Sequence, residues 1–302
     1  MVNAGSTSLK LSLVAPDGSA RPLERLEDAR GRPLLAAGHR VVHGGARFRE
    51  PTELDDAALA AIDELTPIAP LHNGPALAAI EETRRLFPEL SQVAVFDTAF
   101  HATIPPEAFT YAVPARWREE WGIRRYGFHG ISVAWVAEQV LVRRLVVCHL
   151  GGGCSVTAVL DGRSVDTTMG FSPLEGVPMA TRSGSVDPGA LLNLLSGRGV
   201  SVGELERALE HESGLAALGG LDDPLGFGVY TYRIACAVGA AAAALGGADA
   251  IAFTGGVGEH REDVREAVCS RVAHLGAAVR VVPAREELVI AREVRALVVR
   301  GR

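Results

Sequence analysis

Three stretches of the chain have the same pattern, in which a short apolar run leads into a glycine-rich turn. They cover residues 3–8, 146–155 and 250–259. Apolar runs of this length predict buried strands, and the turns predict the points where the chain leaves a sheet. After the third run the apolar spacing changes to a helical pattern from Arg261 onward. The chain is therefore predicted to be an α/β protein.

The first two turns are followed by similar sequences. Leu9, Leu11 and Leu13 alternate with polar residues and lead to Asp17-Gly18, and residues 156, 158 and 160 do the same before Asp161-Gly162. This alternation, ending in an Asp-Gly pair, predicts a β-hairpin in each half of the chain. Glycine lets a backbone approach an anion closely, and serine hydroxyls add donors, so a repeated hairpin of this kind suits a phosphate clamp. Each turn, taken alone, could equally be an ordinary tight turn.

The apolar segment 234–253 is the one stretch that suggests a membrane helix. It consists largely of Ala and Gly and contains Asp249, so an interior helix followed by a strand is the preferred interpretation.

The length of 302 residues fits two α/β domains, and a net charge of −6 argues against a nucleic-acid partner. Four scattered cysteines and the lack of a secretion signal at the start predict a reduced, cytoplasmic protein without a membrane partner.

Polar residues between glycines mark four further segments, at 38–45, 93–101, 124–130 and 166–184. Arg40 lies in the first, Asp97 ends a predicted buried strand in the second, and Arg182 lies in the fourth. Arginine pairs bidentately with either a carboxylate or a phosphate. Without further information, Arg40 and Arg182 would be interpreted as structural ion-pair residues. Arg124 and Arg125 are expected to be a structural or solvated pair.

Ten motifs in these segments resemble the acetate kinase family, which also includes propionate and butyrate kinases. In order from residue 3 to residue 292 they are NAGSTSLK, GHRVVHGG, APLHN, VAVFDTAFH, RRYGFHG, CHLGGG, DTTMGFSPLEG, TRSGSVDPG, FTGGVGE and PAREELVIAR. The resemblance implies two α/β domains of the sugar kinase, Hsp70 and actin superfamily (ASKHA, ribonuclease H-like), each with a mixed five-stranded sheet, around a nucleotide cleft. The expected domains are residues 1–143 and 144–302, with the last helix packing back on the first domain. A homodimer formed chiefly through the second domain is also implied.

The resemblance also implies a role for each matching residue. The expected catalytic residues are Arg40, Asp97, His129 and Arg182. The expected pocket for the acid is formed by Arg40, Val42, Leu71, Phe128 and Pro173. The expected ATP-binding residues are Ser6, Ser8, Lys10, His149, Gly151, Gly152, Gly153, Asp223, Gly256, Val257, Gly258, Glu259 and His260. The expected ligands of Mg²⁺ (or Mn²⁺) are Asn3 and Glu286.

The function implied is reversible, magnesium-dependent phosphoryl transfer from ATP to a small carboxylic acid, with acetate as the first expectation. Alternatives are a propionate or butyrate kinase, or a truncated homologue that binds nucleotide without turnover. A carboxylic acid with a pKa of about 4 to 5 is already ionised at neutral pH and needs no base. Asp97 is therefore expected to orient the metal, its waters or an arginine, although the family assigns it as an acid/base.

Several departures from the family pattern affect these expectations. The chain is shorter than typical members, chiefly before the first motif and between Lys10 and Gly38. The second phosphate loop has Gly152 where the family has asparagine, and Val133 stands where the family has a histidine after FHG. The segment around Asp223 lacks the arginine expected near the nucleotide base. These departures bear most directly on nucleotide affinity and base preference.

Overall fold

The computed structural model describes residues 1–4, 9–68 and 70–300, and all of their side chains except those of residues 67 and 70–72. By the contacts between its residues the chain divides into two compact units. Unit 1 comprises residues 1–102, 128–135 and 285–302, and unit 2 comprises residues 103–127 and 136–284. The single boundary expected between residues 143 and 144 would give two continuous domains, and it stays a prediction.

Unit 1 contains a six-stranded sheet and helices on both of its faces. The strands are β1 (Val2–Ala4), β2 (Leu9–Val14), β3 (Ala20–Leu23), β4 (Ala37–Val41), β5 (Thr52–Glu53) and β6 (Gln92–Phe96). The helices are α1 (Asp56–Asp63), α2 (Pro70–Leu86), the start of α5 (Gly130–Gln139) and α12 (Glu286–Arg300), with 3₁₀ turns at Leu26–Ala29, Thr66–Ile68 and Ala99–Thr103. The strand order is β3-β2-β1-β4-β6-β5, in which β1, β4 and β6 are parallel to one another.

The central strands of unit 1 bury both of their faces because helices cover the sheet on each side. On β6, Ala94 and Phe96 join the core that includes α1 and α2, whereas Val93 and Val95 join the core that includes α5 and α12. Alternate residues of a strand point to opposite faces, so a strand between two helical layers is apolar throughout. The carboxyl ends of β4 and β6 therefore lie on a rigid, doubly packed scaffold.

Unit 2 contains a five-stranded sheet. Its strands are β7 (Arg144–Leu150), β8 (Cys154–Leu160), β9 (Arg163–Thr167), β10 (Ala250–Thr254) and β11 (Ala278–Val281). Its helices are α3 (Pro106–Phe109), α4 (Ala115–Glu119), the end of α5, α6 (Pro188–Gly197), α7 (Val202–His211), α8 (Gly214–Ala217), α9 (Pro224–Leu245), α10 (Gly255–His260) and α11 (Glu262–Arg271), with a 3₁₀ turn at Ala273–Leu275.

The strand orders of the two sheets repeat. The second sheet has the order β11-β10-β7-β8-β9, with β7, β10 and β11 parallel and an antiparallel meander from β7 to β9. Reversed, this is the order of the first sheet without β5. Asp161 and Gly162 both have positive φ, at 48° and 77°, as a type I′ hairpin turn requires. Both predicted hairpins are confirmed, and the repeat of sequence corresponds to a repeat of topology.

Two elements differ from the sequence predictions. The glycine-rich segment after β10 was expected to be a turn with the helix starting near Arg261, but it already forms helix α10 from Gly255 onward. The first sheet has a sixth strand because Thr52 and Glu53 pair antiparallel with β6. A two-residue strand has too few positions to produce a periodic pattern, so the sequence gives no signal for it.

Among the described residues, α9 is the helix whose length and apolar composition would allow it to cross a membrane. In the structure it packs against β7, β8 and β9, and Tyr230, Ile234 and Val238 are fully buried. Core helices commonly have this length and apolar composition, so these two properties are weak evidence for a membrane span. The predicted interior helix followed by a strand is confirmed.

Candidate active site

In unit 1, Arg40 lies at the centre of a cluster with Asn3, Asp97 and Glu286. Its Nε donates to both carboxylate oxygens of Asp97, at 3.0 and 3.1 Å, and its Nη2 also donates to Asp97. Its Nη1 donates to Asn3 Oδ1 at 3.2 Å, and its Nε lies 3.9 Å from Glu286 Oε2. Asn3 Nδ2 donates to the same Glu286 oxygen at 3.1 Å. The structure thus brings together four residues from β1, β4, the end of β6 and the start of α12.

Burial sets the electrostatics of this cluster. Burial raises the pKa of the Asp97 carboxyl, and the Arg40 guanidinium and the backbone N–H of His129 oppose that rise. Burial would lower the pKa of Arg40, but the charges of Asp97 and Glu286 more than reverse this and raise it. Arg40 therefore keeps its positive charge, and two carboxylates face one guanidinium in a largely buried setting.

His129 lies immediately before α5 with a left-handed backbone, at φ 60°. Such a conformation costs a non-glycine residue about 1–2 kcal/mol, so the surrounding structure must hold it. The backbone N–H of Gly130 donates to the Asp97 carbonyl at 2.9 Å. A Cβ at position 130 would lie 2.1 Å from that carbonyl oxygen, so only glycine fits there. The Phe-His-Gly motif is thus a turn fastened to the end of β6.

Two described residues of unit 1 are expected in the acid pocket: Phe128 is part of this turn, and Val42 directly follows β4. Val42 and Phe128 are fully buried, and the Phe128 ring contacts His43 edge-on with ring centroids 5.4 Å apart. The turn after β4 is held by a residue that the sequence did not single out, Asn73, whose side chain bonds to both the N–H and the carbonyl of His43. Asn73 belongs to the APLHN motif, and its motif membership is the only sequence signal for it.

In unit 2, the second expected phosphate loop is a tight turn between β7 and β8. The backbone N–H of Gly151 donates to the Gly153 carbonyl at 3.0 Å, and the N–H of Ala180 donates to the Gly152 carbonyl at 3.2 Å. His149 occupies the last part of β7, paired with Thr254 of β10. The loop therefore lies at the carboxyl end of a parallel strand, next to α10, which contains Gly256, Val257, Gly258, Glu259 and His260.

Glu259 and Asp223 are held by backbone groups of unit 2. Glu259 Oε1 accepts from the N–H groups of Gly255 and Ala284, at 3.1 and 3.0 Å. Asp223 caps the start of α9 by accepting from Leu225 and Gly226. Both carboxylates therefore have a structural role, and their assignment to ATP stays a prediction.

Arg182 is the other expected catalytic arginine, and it lies in unit 2. Its Nη1 donates to the Pro173 carbonyl at 2.9 Å and lies 3.6 Å from the Met179 sulfur. Pro173, expected in the acid pocket, is buried. The guanidinium is thus anchored to the segment between β9 and α6.

Three expected residues cannot be placed in the same detail. Ser6 and Ser8 lie outside the described residues, and the side chain of Leu71 is likewise not described. Lys10 is described; it is exposed on β2, opposite Asn3. The first phosphate loop therefore stays a prediction.

Comparison with known proteins decides the family. The profile of the Acetokinase family matches residues 23–296. The chain belongs to the acetokinase family. An acetate kinase from Protochlamydia amoebophila is 44% identical over an alignment of 259 residues, and the match covers 79% of this chain and 65% of that protein. The chain thus spans about two thirds of the length of this curated relative.

Solved structures of acetokinases have the same fold. A propionate kinase from Francisella tularensis superposes with a TM-score of 0.90 at 32% identity, covering 97% of each chain. An acetate kinase from Porphyromonas gingivalis superposes with a TM-score of 0.83 at 32% identity, covering 96% of this chain and 90% of that one. The expected family and fold class, two α/β units with mixed sheets, are confirmed. Asn3 and Lys10 lie before the residues that the family profile matches.

Proposed function

We propose that the chain is an ATP-dependent kinase that phosphorylates the carboxylate of a short-chain acid, with acetate as the first expectation. The carrying observation is the Arg40 cluster, in which a guanidinium of fixed orientation lies among a carboxylate pair and an amide. A nucleotide-binding module needs no buried arginine of this kind, whereas a carboxyl kinase must neutralise two anions that approach each other.

The proposed reaction moves one phosphoryl group. A carboxylate oxygen of the acid forms a bond to the γ-phosphorus, the bond from that phosphorus to the β-phosphate oxygen breaks, and ADP leaves with the electron pair. No proton needs to be transferred, because the acid is already ionised. Catalysis then consists of positioning and charge neutralisation, which arginines and histidine supply. Arg40, Arg182 and His129 are the proposed residues.

Asp97 is proposed to act through Arg40 instead of as an acid or base. Its two carboxylate oxygens accept three hydrogen bonds from the guanidinium and so fix its plane. Its backbone carbonyl also holds the turn of His129 through Gly130. Asp97 is therefore proposed as the residue that positions two of the catalytic groups.

A divalent metal fits the residues of this cluster. Mg²⁺ prefers oxygen ligands and commonly uses one or two carboxylates together with water and substrate phosphates. The Asn3 amide oxygen and the Glu286 carboxylate are such donors, and Asp97 lies beside them; the described residues contain no group of three or more His, Cys, Asp or Glu that would form a full protein cage. A bound Mg²⁺ (or Mn²⁺) would neutralise phosphate charge. Asn3 and Glu286 are the proposed residues for it.

A cytoplasmic homodimer is the proposed state of the protein. All four cysteines are free thiols, and Cys148 and Cys154 are buried, as is usual in a reducing compartment. Leu192 and Leu194 of α6 are exposed, as are Val186 before the helix and Val202 at the start of α7, and contact with a second copy would bury apolar side chains of this kind.

The test of function traps acyl phosphate with hydroxylamine, using purified protein, MgATP and acetate, propionate or butyrate in parallel. We expect acid-dependent hydroxamate, ranked by acid, that is lost in Arg182→Ala. Arg116→Ala is the matched control, because Arg116 is exposed and its contacts, an ion pair with Glu120 and a cation–π contact with Trp121, lie in the same surface segment. Absence of product with every acid, alongside measurable ATP binding, would instead identify a nucleotide-binding homologue without turnover.

A further inference from the structure

A cluster of three polar residues in unit 2, Tyr111, Arg125 and Glu175, encloses the segment that holds Arg182. This segment, residues 167–176, follows β9 and contains Pro173. The sequence predicted Arg125 to be structural or solvated and gave no role to Tyr111 or Glu175. Their contacts show a more specific arrangement.

Arg125 binds the start of the segment and its end with one guanidinium. Its Nη1 donates to the backbone carbonyls of Thr167, Thr168 and Met169, at 2.8, 2.9 and 3.0 Å. Its Nη2 pairs with Glu175 Oε1 at 3.0 Å. The side chain is largely buried, with 15% of its surface exposed. A planar guanidinium can direct several donors at once along fixed lines, so these contacts fix the shape of the segment.

Tyr111 completes the cluster on the other oxygen of Glu175. Its hydroxyl donates to Glu175 Oε2 and accepts from the backbone N–H of Phe171, the latter at 3.1 Å. Burial raises the pKa of Tyr111, and the bond to Glu175 raises it further. The phenol therefore stays protonated and keeps donating over the whole neutral range.

Gly170 lies inside this enclosure and has no room for a side chain. A Cβ there would lie 1.7 Å from Glu175 Oε2 and 2.1 Å from the Tyr111 hydroxyl. The Gly170 carbonyl in turn accepts from the backbone N–H of Tyr126, next to Arg125, at 3.0 Å. The middle of the segment is thus held between the side chains of Tyr111 and Glu175 on one side and the backbone of Tyr126 on the other.

The segment so held is the one that orients Arg182. Pro173 lies between Gly170 and Glu175, and its carbonyl accepts from Arg182 Nη1 at 2.9 Å. A shift of the segment would move this acceptor and with it the guanidinium. Because a misplacement of about 1 Å of a reacting group can cost about 10²-fold in rate, such a shift matters for turnover.

We propose that the Tyr111–Arg125–Glu175 cluster positions Arg182 for phosphoryl transfer, with Arg125 as its central positioning residue. This inference rests on the proposed kinase function, in which Arg182 is catalytic. Arg125 itself does not contact the reacting groups in this proposal; it acts through the Pro173 carbonyl.

The test uses Arg125→Lys in the full chain, because lysine keeps the positive charge and loses the planar set of donors. We expect kcat to fall by roughly 10- to 100-fold, with the KM for ATP changed by less than about threefold. Glu175→Gln, which keeps the size and loses the charge, should give a smaller loss in the same direction. Arg116→Lys, the same substitution on exposed α4, is the matched control and should leave kcat unchanged.

A double-mutant cycle separates positioning from general structural damage. In an Arg182→Lys background the further loss caused by Arg125→Lys should shrink to under about threefold, because residues that act in one unit are not additive. Equal losses in both backgrounds would show that Arg125 only stabilises the fold and would overturn the proposal.

The two levels of the proposal fail in different ways. If the unmodified chain forms acyl phosphate and Arg125→Lys turns over at the same rate, the positioning role is wrong and the kinase function stands. If the unmodified chain forms no acyl phosphate with any acid, Arg182 has no catalytic role and both proposals are overturned together.

Discussion

Every nitrogen of the Arg40 guanidinium points at a side chain of unit 1. Nε and Nη2 donate to Asp97 and Nη1 donates to Asn3. A guanidinium on a free side chain would sample many rotamers, and holding it in advance removes that entropy cost from the reaction. At the scale of the residue, we therefore expect the loss of the Asp97 carboxylate to reduce activity by releasing the Arg40 guanidinium.

We predict that Asp97→Asn lowers kcat/KM by roughly 10²-fold, because the amide keeps the shape but cannot neutralise and fix Arg40. In an Arg40→Ala background the same substitution should cost less than about threefold, since its effect passes through the arginine. Steady-state kinetics on the four proteins of the cycle measure this. A full loss in both backgrounds would indicate that Asp97 acts on the substrate directly.

The sequence predicted site roles for Asp97, Arg40 and Arg182 because each lies in a motif that resembles the family's, and those roles stay a prediction. It did not predict what Arg125 binds, because a charged residue next to another arginine has no pattern that reveals three backbone acceptors. Asn73 was missed for the same reason. Side chains that bind backbone carbonyls or N–H groups depend on a tertiary arrangement that local pattern does not encode.

At the scale of the element, β4 and α12 lie unusually close. A Cβ at Gly38 would lie 2.7 Å from Val294 Cγ2 and 2.9 Å from Ile290 Cγ2. Because Gly38 has no side chain, α12 packs directly on β4, the strand that contains Arg40. Helix α12 starts at Glu286, a member of the Arg40 cluster, so this packing also sets the position of the cluster.

We predict that Gly38→Ala destabilises the protein by roughly 1–3 kcal/mol, the usual cost of adding a methyl group to a filled core. Val294→Ala should partly compensate, because it removes the atom that the new methyl group meets. Urea unfolding of the two single variants and the double variant tests this. The idea is wrong if the two effects simply add, since contact between the sites predicts coupling.

Strands and hairpins were the most predictable elements. The alternating residues after the first two glycine-rich turns and the Asp-Gly pairs specified both meanders without tertiary information. Helix α10 was not predictable, because three of its first four residues are glycines, which have low helix propensity. Its helical form depends on contacts such as the one from Glu259 to the Gly255 N–H.

At the scale of the whole molecule, one buried histidine links the stability of the fold to pH. His39 is buried on β4, and its Nε2 lies 2.6 Å from Gln92 Oε1. Burial lowers the pKa of His39 from 6.5 to about 4, and the Gln92 bond offsets this only in part. The folded chain thus binds this proton less readily than the unfolded chain does.

We predict that the contribution of neutral His39 to the free energy of unfolding is fully present above about pH 6.5. This contribution is lost as the pH falls towards about 4, because the unfolded chain takes up the proton first. The shift corresponds to about 3 kcal/mol at most. Thermal unfolding of the wild type and of His39→Gln at pH 7.5 and pH 4.5 isolates it, because glutamine can still donate to Gln92 and does not titrate. The variant should lose less stability between the two pH values; parallel losses would rule His39 out as the cause.

Unit 1 is built from three separate stretches of chain, the last of which is residues 285–302. During synthesis, the face of β4 and β6 that α12 covers stays uncovered until the residues of α12 have left the ribosome. Val93, Val95 and the groove at Gly38 are then open to solvent or to a chaperone, while unit 2 already has all of its strands. Glu286 joins Asn3 and Arg40 at that same late moment, so the proposed catalytic cluster forms only after α12 has been synthesised, later than the strands of unit 2.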